Sequence, residues 1–147
     1  MNIAKKIDQF NKDFIYFCDP IRNNIMTDSM FIRILYSNNV FVMNGIYLII
    51  SFQNISVEKY YNKYRCNFDI NSHKELIDKI QSIEEHILKK VKINKTPVYK
   101  IYEQIRNGNI KVFSDLQDNI RNNFILKISG IWETDVNYGV TYKFLTV

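Results

Sequence analysis

Seven consecutive residues, Lys59-Tyr60-Tyr61-Asn62-Lys63-Tyr64-Arg65, set three cations beside three tyrosines. On an extended strand Lys59, Tyr61, Lys63 and Arg65 share one face, and Tyr60, Asn62 and Tyr64 the other. Cations attract a phosphate backbone, and aromatic rings stack on bases for about 1–3 kcal/mol each. This is the chemistry that holds an unpaired nucleic-acid strand. The same residues also suit a bare strand whose Lys and Arg prevent edge pairing. Cation and ring recur two residues apart elsewhere: Arg33 beside Phe31, Lys100 with Tyr102, Lys111 with Phe113. Near the turn at residues 134–137, Trp132 and Tyr138 are stacking candidates, and Lys143 lies opposite the apolar face of its strand. The nucleic-acid-binding set read from the sequence is therefore Arg33, Lys59, Tyr60, Tyr61, Lys63, Tyr64, Arg65, Lys100, Lys111, Phe113, Trp132, Tyr138 and Lys143.

Catalytic patterns are sparse by comparison. His73 and His86 stand thirteen positions apart on one expected helix, on different faces, so they do not chelate one ion. Neither Cys18 nor Cys66 has a CxxC partner, and no metal site is expected. Phosphate-cradling and nucleophile-elbow motifs are lacking. Cys66 with His73 has no orienting third group, and a small buried thiol and a surface histidine are expected instead. Glu84 and Glu85 read as surface carboxylates, with Glu85 placed to pair Lys89 four residues on. Asp115 and Asp118 read as caps of a turn. No enzyme and no cofactor are nominated.

The elements that must carry these groups follow from periodicity. Ile3, Ile7, Phe10, Phe14 and Phe17 space as a helix over residues 3–17, which Asp19-Pro20 ends. Met30–Ser37 alternates as a strand, followed by a turn at Asn38-Asn39. Asn44-Gly45 predicts a hairpin joining Val40–Met43 to Ile46–Phe52. One more strand is expected over Ser56–Phe68. Leu76, Ile80, Ile83, Ile87 and Val91 stripe a helix over 73–92, with Ser72 and Glu75 as a capping box. Val98–Ile105 and Ile110–Phe113 are expected to pair across Asn107-Gly108-Asn109, and 115–122 to form a short helix or loop. Phe124–Glu133 and Tyr138–Leu145 form a closing hairpin, with Gly130 marking a bulge or bend. The order predicts a mainly β, α+β fold, barrel-like as in oligonucleotide-binding (OB) folds. It carries an N-terminal helix and a second helix between the third and fourth strands.

Composition bounds the class. With 147 residues the chain reads as one domain, and 46% hydrophobic and 14% aromatic residues argue against disorder. Four glycines and two prolines exclude collagen-like and linker-like readings. The net charge of +5 suits an anionic partner. Heavy use of Ile, Asn, Lys, Tyr and Phe also matches AT-rich coding, which cautions against reading any single Lys or Tyr as functional. Met1–Asp8 has no apolar signal core, and Ile46–Phe52 is too short to span a bilayer, so a soluble cytoplasmic protein with reduced thiols is expected.

The stretch Phe124-Ile125-Leu126-Lys127-Ile128-Ser129-Gly130-Ile131-Trp132-Glu133-Thr134, with Tyr138-Gly139-Val140-Thr141-Tyr142-Lys143-Phe144, resembles the closing hairpin of single-stranded DNA-binding proteins of large cytoplasmic DNA viruses. Size, charge and composition are similar to the single-stranded DNA-binding proteins of yeast cytoplasmic linear (killer) plasmids. The resemblance implies an OB fold that coats displaced strands during DNA replication, with little sequence preference and without catalysis. Single-stranded DNA is the partner so implied. RNA, self-association and replication proteins stay open, and no membrane is expected. A protein–protein subunit of a replication or transcription complex is the alternative, and a small nuclease a third.

Overall fold

A computed structural model describes residues 4–22, 29–113 and 120–147. The protein is mainly β with a few helices, an α+β arrangement built on one mixed, open sheet. The central strands are β11 (Asn123–Glu133) and β12 (Asn137–Thr146), an antiparallel hairpin as the sequence predicts. Phe124, Leu126 and Ile128 of β11 face the core, and alternation turns Ile125 and Lys127 outward.

The other edge of β11 is shared. Residues 123–128 pair with β6 (Ile46–Ser51), and residues 130–133 pair with β4 (Met30–Ser37). The changeover coincides with a register shift against β12 between Ile128 and Gly130, the bulge the glycine implied. Only glycine fits there, because a Cβ would lie 2.3 Å from the Ile32 carbonyl oxygen and 2.6 Å from the Phe31 ring.

Beyond β12 the sheet continues through β10 (Asn109–Phe113, parallel to β12), β8 (Lys63–Asn67) and β7 (Ser56–Tyr60). At the opposite end β1 (Lys5–Lys6) runs parallel to β6. These end strands do not meet, so the described sheet is open where a closed barrel was expected. Around β4 a branch forms from β2 (Ile15–Phe17), β3 (Ile21–Arg22) and β5 (Val42–Met43). A short β9 (Thr96–Val98) lies parallel to β12.

Several expectations are corrected. Residues 3–17 are not a helix: within the described part, β1, two single 3-10 turns and β2 take its place. Phe10 and Phe14 still pack together, but against the Tyr36 ring, and Asn11 caps the second turn through Asp13 N–H. Spacing of three and four thus reflected two short turns leading into an edge strand. Asn44-Gly45 makes its tight turn, with Gly45 at φ +111°, yet β5 pairs with β4 and β6 with β11. The turn therefore carries the chain from the branch into the main sheet. The 56–68 strand is a hairpin of β7 and β8, turned at Tyr61 and Asn62. Lys100–Ile105 is a helix, α2, not a strand, so Val98–Ile105 does not pair with Ile110–Phe113. Residues 114–119, including Asp115 and Asp118, lie outside the described residues.

The long helix α1, Lys74–Lys90, forms as the stripe predicts and packs on the inner face against β12 and α2. Among the described residues it follows eight strands instead of three. Its buried face is Ile77, Ile80, Ile83, Glu84, Ile87 and Leu88, one position round from the stripe read in the sequence. Ser72 does not cap it. The Ser72 N–H and O–H both donate to Asp69 Oδ2, which draws that carboxyl below its usual range. The i,i+4 ion pair formed on this helix is Lys79–Glu75, 3.3 Å, and Lys79 also meets Asp8 at 2.7 Å.

Candidate nucleic-acid interface

The outward face of the sheet is assembled by register. Lys127 on β11 stands between Lys143 on β12 and Tyr47 on β6. On the far side, Lys111 on β10 pairs with Arg65 on β8, and Arg65 with Glu58 on β7. The two halves join through the Val112–Phe144 pair. Both of those side chains are buried, so their exposed neighbours Lys111 and Lys143 take the opposite face. Arg65, Lys111, Lys143 and Lys127 therefore form one row across four adjacent strands, ended by the Tyr47 ring. At about 4.8 Å per strand the row from Arg65 to Tyr47 is roughly 19 Å long. Lys127 Nζ sits 5.5 Å from the Tyr47 ring centre, a cation–π contact, and Arg65 Nε lies 3.6 Å from Glu58. Beside the row runs a half-buried aliphatic line, Ile49–Ile125–Leu145.

Past the bulge, the same face of β11 carries rings. Trp132 pairs with Phe31 on one side and with Gly139 on the other. The Phe31 ring leans over Gly130, and the indole of Trp132 fills the space a Cβ on Gly139 would occupy, 2.5 Å from that position. Arg33, exposed, is opposite Gly130. Tyr16 and Ile21, paired with Leu35 and Phe31, extend this shelf and are 58% and 55% exposed. The face thus divides into a cationic half and an aromatic and aliphatic half, joined along β11.

Of the residues nominated from sequence, the structure brings Arg65, Lys111 and Lys143 into the row and Arg33 and Trp132 onto the shelf. Lys63 lies on the outward side of β8, two residues from Arg65. The others are placed differently. Tyr64 is buried against the core, because its neighbours on the hairpin turn it inward, and Tyr138 is buried with its hydroxyl donating to the Leu88 carbonyl. Neither ring reaches a base. Lys59 pairs with Tyr64 and so lies on the face opposite Arg65, while Tyr61 occupies the turn at φ +57° and is 82% exposed. The expected four-residue face is split by that turn. The side chains of Tyr60 and Phe113 lie outside the described ones. Lys100 opens α2 and is not on a sheet strand, so it is not part of the row, although it lines a groove at the end of the row with Arg65 and Lys111.

Sequence reasoning missed Lys127, Tyr47 and Tyr16, and named Phe31 only as the ring beside Arg33. Lys127 carried a signal: it alternates with buried Leu126 and Ile128 along the eleven-residue β11. Tyr16 was hidden by the helical reading of its segment.

Lys100 belongs to a groove of about 450 Å³ lined by Arg65, Lys100, Glu103, Gln104, Asn109 and Lys111, with Asn107 and Tyr142 completing it. Tyr142 donates its hydroxyl to Gln104 Oε1 at 2.8 Å and to the Lys100 carbonyl at 3.3 Å; burial pushes its pKa up to about 12.

Two polar residues correct the sequence reading of the interior. His73 is buried between Phe52 and Phe68. Its Nε2 accepts the Gln53 N–H at 2.8 Å and its Nδ1 donates to the Asp69 carbonyl at 2.7 Å, so neither nitrogen is available to Cys66. Burial pushes the Cys66 thiol up to about 11, away from the thiolate a nucleophile needs. Glu84 is fully buried, not a surface residue; it accepts the N–H groups of Ile101 and Tyr102 at 2.9 and 3.0 Å. Among the described residues no group of three His, Cys, Asp or Glu side chains gathers as a metal site. No described helix is long and apolar enough to cross a membrane.

Comparison with protein-family models, curated proteins and solved structures finds no significant match to this chain.

Proposed function

We propose that the protein binds single-stranded DNA on the outward face of its sheet, without catalysis and with little sequence preference. The observation that carries the reading is the cation row of Arg65, Lys111, Lys143 and Lys127, continuous with a shelf of rings on the same face. Phosphates meet the row, while bases lie on Phe31, Trp132 and Tyr16. A long strand bent at a glycine bulge and shared by two partners is also how small barrels curl, which favours an open relative of the OB architecture. The resemblance of the β11–β12 hairpin supports a role in coating displaced strands during replication in the cytoplasm.

Titrating oligo(dT) against the fluorescence of Trp132, the single tryptophan, tests this. Quenching is expected, with a log–log salt slope of about −3 for four phosphates contacted. The double variant Lys127→Glu, Lys143→Glu should bind at least about tenfold more weakly, with a shallower slope. Absence of binding at micromolar protein in low salt, or equal binding by the variant, refutes it. In that event exposed Tyr16, Ile21 and Val42 favour a protein contact on the shelf side. Magnesium-dependent loss of the oligonucleotide would instead reveal a nuclease.

A further inference from the structure

The groove beside α2 has features that the cation row does not explain. Among the described residues β10 pairs with β12 through Val112 and Phe113; before that point the two strands part, and α2, in contact with both, stands at the opening. Into this opening come cations from three different elements: Arg65 from β8, Lys111 from β10 and Lys100 from α2. Glu103 is the one carboxylate among the lining groups and Glu58, outside the lining, lies 3.6 Å from Arg65, so the three cations still outnumber the carboxylates. The amide of Gln104 adds a donor, because its Oε1 is already taken by the Tyr142 hydroxyl and its NH₂ remains to donate. The lining is therefore rich in donors and cations, and its volume of about 450 Å³ lies in the range of small-ligand sites. Arg65 and Lys111 belong to both the row and the groove, so the groove lies at one end of the row.

We propose that this groove binds a phosphate monoester. Such a group carries close to two negative charges and three acceptor oxygens at neutral pH, which suits three converging cations and an amide better than an internal diester does. Two sources supply that chemistry: the phosphorylated end of a single strand lying along the row, or a free mononucleotide. The first source rests on the proposed function; the second does not.

Binding of a dT decamer bearing a 5′-phosphate, a 3′-phosphate or neither is compared by anisotropy competition, for the wild type and for Lys100→Ala. Titration with dTMP, thymidine and inorganic phosphate runs alongside, followed by NMR or calorimetry. A terminal phosphate is expected to raise affinity about tenfold in the wild type, a ratio that falls to about one in Lys100→Ala. Alternatively, dTMP binds and thymidine does not, with the same dependence on Lys100, which assigns the groove to free nucleotides. Equal affinity for all three decamers together with no Lys100-dependent binding of dTMP overturns the proposal while leaving the sheet face untouched. Loss of all decamer binding with Lys100-dependent dTMP binding retained defeats the sheet-face reading and upholds the groove. Inorganic phosphate binding as tightly as dTMP, unaffected by Lys100→Ala, also overturns it.

Discussion

Burying a carboxylate without a counter-ion costs free energy unless its oxygens are hydrogen-bonded, and Glu84 meets that condition with two backbone donors at the start of α2. Desolvation nevertheless dominates and pushes its pKa up to about 7, with the nearby Glu103 and Glu85 charges adding to the rise. The sign of the consequence is fixed by linkage. Between about pH 4.5 and 7 the folded state holds this proton more firmly than the unfolded chain does. Stability from this group is therefore fully present at the acid end and is lost as pH rises through 7, by an amount on the order of 3 kcal/mol. Urea denaturation at pH 5 and pH 8 should show the wild type less stable at pH 8, and Glu84→Gln should flatten the difference. Parallel behaviour of the two proteins would disprove the assignment. Nothing in the sequence separates Glu84 from Glu85. Its burial depends on where α2 docks, and α2 itself was read as a strand.

At the scale of elements, legibility followed periodicity and length. Met30–Ser37, the long helix and the β11–β12 hairpin were all readable, because each repeats its pattern over eight residues or more. The 3–17 segment and Lys59–Arg65 were misread, because pieces of two to five residues satisfy more than one period. The hairpin turn at Tyr61 uses a left-handed tyrosine, not the Asn-Gly pair that normally announces such a turn. The site was legible only in part for the same reason. Arg33 with its Phe31 ring, Lys111 and Lys143 were found, Lys127 was passed over in spite of its alternation, and the ring of Tyr16 joined the face through a three-residue edge pairing with no sequence signature. Gly130, by contrast, was visible as a bulge and supports a firm expectation. Gly130→Ala would drive a methyl into the Ile32 carbonyl and the Phe31 ring, and a backbone oxygen cannot swing aside. Thermal denaturation should show a loss of about 2–4 kcal/mol, near the large end for single substitutions. A Tm within a degree or two of the wild type would show that the bulge relaxes freely.

For the molecule as a whole, charge and apolar surface are sorted onto opposite ends of one sheet face, with the long helix α1 on the other face and α2 at the opening between β10 and β12. Long-range pairing makes that sorting possible: β1 meets β6, β4 meets β11, and β10 meets β12. A protein with so many distant pairings should fold slowly, in milliseconds to seconds, as topology-limited β proteins do. Stopped-flow refolding monitored by Trp132 would check this, and a microsecond phase carrying the full amplitude would contradict it.

β11 and β12 come after every other described strand in the chain, yet β4, β6, β9 and β10 all hang their ladders on them. During synthesis those earlier segments leave the ribosome with the edges that β11 and β12 will cover still unpaired. They must wait, exposed, until the final two strands emerge. Cells making this protein therefore have an interval in which it is vulnerable to proteases and to sticking. A chain cut just before Asn123 would extend that interval indefinitely, and should be recovered as insoluble or degraded material instead of a smaller folded protein.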